Sequence, residues 1–193
     1  MNQEDYQKLQ RAWSVGRSKN VEEGARQRVQ VAVRELKKDQ LGTQNVLVLG
    51  PQHGFELLEF REQGFASILG VDVVPSFCDD CRALGFECLQ GPVEELSSIV
   101  SGKWNIYASH TLEHCYDLPA AVQQIEFVCD QWCFIGVPIE PESANAGHCS
   151  PIRSRKHFKS LFPVTAWRWV YDSYRLSEKG PGRGSVESLL VKQ

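Results

Sequence analysis

His110, Glu113 and His114 stand in the stretch SHTLEHC, in the order H-x-x-E-H. That order can place two imidazoles and a carboxylate about a zinc ion, as in one group of peptidases. The chemistry requires both histidines on one helix face, together with a third protein ligand. WNIYAS (104–109), directly upstream, reads instead as a buried strand running into a loop, and no later acidic residue stands out as the third ligand. The expectation is therefore no metal. Cys78-x-x-Cys81 lacks the second pair that a zinc ribbon needs, so it reads as two small thiols on a helix.

LGPQHGFE (49–56) and GVDVVP (70–75) offer a different chemistry. Gly50 and Gly54 let the backbone turn sharply and approach a ligand, and the helix that follows points its free N–H groups inward. A dinucleotide fingerprint needs G-x-G-x-x-G; Gln52 takes the middle position and the third glycine is displaced, which disfavours NAD and FAD. Asp72 closes a predicted strand about 20 residues after the glycine turn, where an acid accepts hydrogen bonds from ribose hydroxyls. Capping a turn or helix is its competing role.

These residues need a scaffold, and the hydrophobic pattern supplies one. A polar segment at about 4–14 precedes a helix over 20–38, which opens on Asn20 with Glu23 as capping-box partner and carries Val21, Ala25, Val29, Ala32, Val33 and Leu36 on one face. Strands are predicted at 45–50, 66–74, 86–90, 104–109 and 131–138. Helices are predicted between them at 55–64, 75–85, 92–100 and 118–129. This alternation predicts a doubly wound parallel sheet with helices on both faces. After Pro138 come a long loop (139–154), a short helix (155–162) and two strands joined by SEKGPGRG, read as an antiparallel hairpin at a sheet edge. No linker divides the 193 residues, so a single domain is expected: a cap (1–41), a core (42–138), and a substrate loop, helix and hairpin (139–193).

The composition is that of a globular chain, with 42% hydrophobic and 23% charged residues and no run of 18 apolar residues. The polar start MNQEDYQKLQ has no apolar signal-peptide core, and seven cysteines read as reduced thiols; a cytoplasmic protein is expected. The net charge of −3 conceals an asymmetry: residues 1–40 carry nine Lys/Arg against six Asp/Glu, 41–150 three against fifteen, and 151–193 nine against three. The basic ends either balance the acidic middle or line one mouth for an anionic substrate.

VLVLGPQHG resembles motif I of the class I S-adenosylmethionine-dependent methyltransferases, and GVDVVP resembles their motif II. LQGPVEELS is similar to the segment that lines adenine, and WNIYASHTLEH to strand four and its continuation. The likeness runs over about residues 42–140. It implies a Rossmann-like sheet of seven strands with an antiparallel last strand, S-adenosylmethionine as cofactor and S-adenosylhomocysteine as product. It also implies in-line methyl transfer to an acceptor oxygen or nitrogen. The cofactor contacts it implies fall on Gly50, Pro51, Gln52, Gly54, Asp72, Val73, Gly91, Pro92, Val93, Ser109 and His110. The chain departs from the family at Val48 (an acid in motif I), Gln52 (glycine), Pro92 (the acid beside adenine) and Asn105 (the aspartate of strand four).

His110 is the candidate general base, because a neutral imidazole at a strand tip has a suitable pKa. Tyr6, Trp13, Arg17, His114, His148 and Arg153 are the candidate substrate contacts; they suit a polar small molecule or sugar-like acceptor, anionic ones included. Neither a membrane nor a nucleic acid is the expected partner, since no separate target-recognition domain is present. A cofactor-binding relative that has lost turnover is the alternative, supported by the eroded motif I.

Overall fold

The structure, a computed structural model, describes Lys8 and residues 20–140, 147–176 and 184–193. Helix α1 (Asn20–Lys38) leads into strand β1 (Asn45–Leu49). Then follow α2 (Phe55–Glu62), β2 (Ser67–Asp72), α3 (Pro75–Ala83), β3 (Glu87–Gln90), a 3₁₀ turn (Val93–Glu95), α4 (Leu96–Ile99) and β4 (Trp104–Ser109). A second 3₁₀ turn (Leu112–His114), α5 (Leu118–Val128), β5 (Cys129–Ile139), α6 (Arg155–Leu161), β6 (Trp167–Leu176) and β7 (Gly184–Lys192) complete the order.

The strands form one seven-stranded sheet in the order β3-β2-β1-β4-β5-β7-β6. β1 pairs in parallel with β2 and β4, so Leu49 lies between Val71 and Ala108. β7 runs antiparallel to both β5 and β6; the chain goes out to the edge in β6 and returns in β7. Both sheet faces are covered, as expected of strands that are apolar throughout. Leu47 and Leu49 face a core with Leu96, Ile125 and Phe158, from α4, α5 and α6. Val46 and Val48 face the other core, with Val33, Phe60 and Cys78, from α1, α2 and α3.

Residues 92–100, expected as one helix, are instead a 3₁₀ turn followed by a four-residue helix. The reason is tertiary. The buried Glu94 carboxylate accepts the backbone N–H groups of Tyr116 and Asp117 at 2.7 and 3.1 Å, and Glu95 leaves helical geometry. Val48 and Asn105 also differ from what the motif comparison assigns them. Val48 is buried in the α1–α3 core, away from any opening. Asn105 sits at the amino end of β4, where its side chain joins β1 to β5: Nδ2 donates to Asn45 Oδ1 at 3.0 Å, and Oδ1 accepts from Gln131 and Trp132 N–H at 3.2 Å.

Candidate functional site

The strand order reverses where β1 meets β4, and in open α/β sheets ligands occupy the crevice beyond the carboxyl ends at that point. Four left-handed residues follow these two strands: Gly50 (φ 69°), Gln52 (φ 49°) and Gly54 (φ 80°) after β1, and His110 (φ 56°) after β4. Non-glycine residues in this region are strained, and such residues cluster at binding sites. The His110 N–H donates to Gly136 O at 2.7 Å, and Thr111 Oγ1 donates to Leu49 O at 2.7 Å, which locks the two strand ends together. A Cβ at Gly50 would meet Thr111 Oγ1 at 2.8 Å, so only glycine fits.

On one side of the glycine turn lies a hollow. Val71, Val74, Phe77 and Val93 make its walls apolar, and Asp72 supplies the charge. Asp72 is buried, and its two oxygens accept the N–H groups of Gln52 (3.2 Å) and Val74 (2.9 Å). Burial outweighs these bonds and pushes its pKa up to about 6. Each carboxylate oxygen keeps a further acceptor position.

A second hollow opens on the other side of the turn, between α1 and the tip of β4. It is lined by Gly24, Arg28, Pro51, His53, Phe55, Glu56 and Ser109, and shares Gly50, Gln52 and His110 with the first. Its notable atom is Arg28 Nε, a buried donor without a hydrogen-bond partner. The Glu56 carboxylate stands 3.8 Å from Arg28 Nη2, and burial raises the Glu56 pKa despite the Arg28 charge. Orphaned buried donors are costly, and this one belongs to a cation that lines the hollow.

His110 Nδ1 lies 3.4 Å from Glu113 Oε1. Glu113 is 1% exposed; burial raises its pKa, but the hydrogen bond and charge of His110, with the charge of His114, hold it below the usual carboxylate value. His114 Nε2 lies 4.0 Å from the same Glu113 oxygen, and its ring packs edge-on against His148 with centroids 4.8 Å apart.

Of the residues proposed from sequence, Gly50, Gln52, Asp72, Val73, Gly91, Pro92, Val93 and His110 line the first hollow, and Pro51 and Ser109 line the second. Gly54 lines neither: buried and left-handed (φ 80°), it turns the chain into α2. Tyr6, Trp13 and Arg17 lie outside the described residues. Three of the substrate candidates lie among the described residues. His114 lines the first hollow, on the proposed cofactor side. His148 is 7% exposed, edge-on to the His114 ring, with Nδ1 2.6 Å from Glu140 Oε2. Arg153 is exposed and lines neither hollow. Sequence reasoning missed Arg28, Phe77, Thr111 and the partnership of Glu113 with His110. Arg28 is one of several cations on the polar side of an amphipathic helix, with no local signal to single it out.

No protein-family profile and no curated protein matches the chain. Solved structures do. A SAM-dependent methyltransferase from Archaeoglobus fulgidus aligns with a TM-score of 0.69 at 16% identity, covering 89% of this chain and 94% of that one. Magnesium protoporphyrin IX methyltransferase from Synechocystis PCC 6803, with bound SAH, aligns at 0.68 and 12% identity over 95% and 92%. A S-adenosylmethionine-dependent methyltransferase from Clostridium acetobutylicum gives 0.68 at 8% identity over 84% and 89%. The chain has the class I methyltransferase fold.

Proposed function

We propose that the protein is an S-adenosylmethionine-dependent methyltransferase acting on a polar small molecule. The observation that carries this reading is the pair of hollows meeting at Gly50, Gln52 and His110, with a buried carboxylate in one and an orphaned guanidinium donor in the other. An adenosine needs apolar walls for the base and an acceptor for two ribose hydroxyls; Val71, Val74, Phe77 and Val93 supply the walls and Asp72 the acceptor. An amino-acid carboxylate needs a cation, and Arg28 supplies it through Nε.

When bound, the cofactor supplies a sulfonium methyl group. The protein's part is orientation, exclusion of water and management of one proton. His110 borders both hollows, so an acceptor seated beside it would lie at their junction. Its Nδ1 faces Glu113, leaving Nε2 to take the proton of an acceptor hydroxyl or amine. Glu113 acts as a positioning residue by holding the ring. Replacing His110 with Gln should lower turnover about 10²–10⁴-fold, the usual range for a general base.

The test is calorimetric titration with S-adenosylhomocysteine, followed by a screen of polar acceptors with labelled S-adenosylmethionine. Saturable binding that Arg28→Ala weakens, together with methyl transfer to a member of the screen, is the expected result. No binding would end the proposal; binding without transfer to any acceptor would leave the non-catalytic relative as the better description. No helix among the described residues is long and apolar enough to cross a membrane.

A further inference from the structure

The expectation of no metal rested on the lack of a third ligand, and the fold brings one in from the loop after β5. Glu113, His114 and His148 each place one donor atom within 4.8 Å of the others. We propose that these three residues bind a divalent transition ion of the zinc class. His110, the other histidine of the H-x-x-E-H order, stays outside the set.

Two features beyond proximity point to an ion. The first is the setting of the rings. Metal-ligating histidines are oriented by a carboxylate or backbone carbonyl on the nitrogen away from the metal. His148 Nδ1 lies 2.6 Å from Glu140 Oε2, and His114 Nδ1 lies 2.9 Å from Gly147 O, so Nε2 of each ring is the ligating atom in a loaded site. The second is the carboxylate. Glu113 is 1% exposed, and its Oε2 has no hydrogen-bond partner. Oε1 stands 3.4 Å from His110 Nδ1 and 4.0 Å from His114 Nε2, so the carboxylate is within reach of a ligating imidazole.

Two imidazoles and a carboxylate are a ligand set that suits zinc. Bond lengths of about 2.0–2.2 Å require an inward movement of the donors of about 1 Å, within reach of small side-chain rotations. The ion would fasten the loop to the rim where the Ser150 N–H already meets Glu113 O at 3.0 Å. It would sit behind His114, which lines the first hollow. The site borders the proposed cofactor hollow through His114, and its existence does not depend on methyl transfer.

The experiment is titration of the untagged full chain with Zn²⁺ against a competing chelator, with no cofactor present. The wild type should bind one ion per chain. Glu113→Gln and His148→Gln should each weaken binding at least 100-fold. Glu140→Gln should weaken it about 10–100-fold through the orienting bond alone, a loss that an unfolded or adventitious site would not show. His157→Ala, outside the set, should leave affinity unchanged. Thermal melts of the metal-free variants identify any that fail to fold, and Glu140→Gln then carries the test. Wild-type binding no tighter than that of Glu113→Gln, or Glu140→Gln indistinguishable from the wild type, would overturn the proposal. Loss of cofactor binding would leave it standing.

Discussion

The two ends of the same parallel strands differ in how their polar groups are used. At the amino ends, Asn105 gives and receives hydrogen bonds from β1 and β5, and Trp132 Nε1 donates to Gly42 O at 2.9 Å. At the carboxyl ends, Gln52 and His110 are left-handed, Asp72 is buried with a raised pKa, and Arg28 Nε and Glu113 Oε2 lack partners. Satisfied polar groups hold a fold; strained and unsatisfied ones store free energy that a ligand can release. The contrast also explains the eroded motifs. Val48 and Asn105 depart from the family pattern in the core and at the amino ends, where neither touches the hollows. Gln52 and Pro92 depart at the rim itself.

The largest expected effect concerns Asp72. Its pKa in the folded chain is about 6, above the unfolded value of about 3.9, so the folded state holds the extra proton between these values. Stability from this group is fully present below about pH 4 and is lost as pH rises through about 6. The total loss is about 3 kcal/mol. Denaturant titrations of the wild type and Asp72→Asn between pH 4 and 7 should differ by this slope; parallel curves would place Asp72 among the satisfied groups. Next comes Gly50→Ala, which combines a positive φ with the Thr111 contact and should weaken S-adenosylhomocysteine binding about 100-fold, roughly 2.7 kcal/mol. Unchanged affinity would show that the turn does not approach the ligand. Asn105→Ala should do the reverse, costing about 2 kcal/mol of folding stability at constant cofactor affinity, because the Gln131 and Trp132 N–H groups lose their acceptor. The smallest effect is expected from Gln52→Gly, a gain of about 1 kcal/mol as the left-handed strain is relieved. A loss there would mean that the Gln52 side chain supports the turn.

The sheet was legible because each strand is an apolar run closed by a turn residue, and each crossover has helical spacing. The rim was legible at Gly50 and Asp72, since a left-handed turn and a strand-end acid leave local marks. Arg28 could not be read, because its meaning lies in a hollow formed with residues over twenty positions away. The same holds for Glu113, His114 and His148, which a long loop brings together. The split of 92–100 was hidden for a related reason: the groups that hold Glu94 belong to the chain after β4.

One titration tests the central claim, that the carboxyl-end rim is a nucleoside-type site. S-adenosylhomocysteine is titrated by calorimetry into the wild type, Asp72→Ala and Asn105→Ala. Saturable one-to-one binding is predicted for the wild type and Asn105→Ala. Asp72→Ala should lose at least 100-fold in affinity, since two hydrogen bonds to a charged acceptor are worth about 1.5–3 kcal/mol each. The absence of saturable heat in the wild type, or equal affinity in Asp72→Ala, would contradict the account.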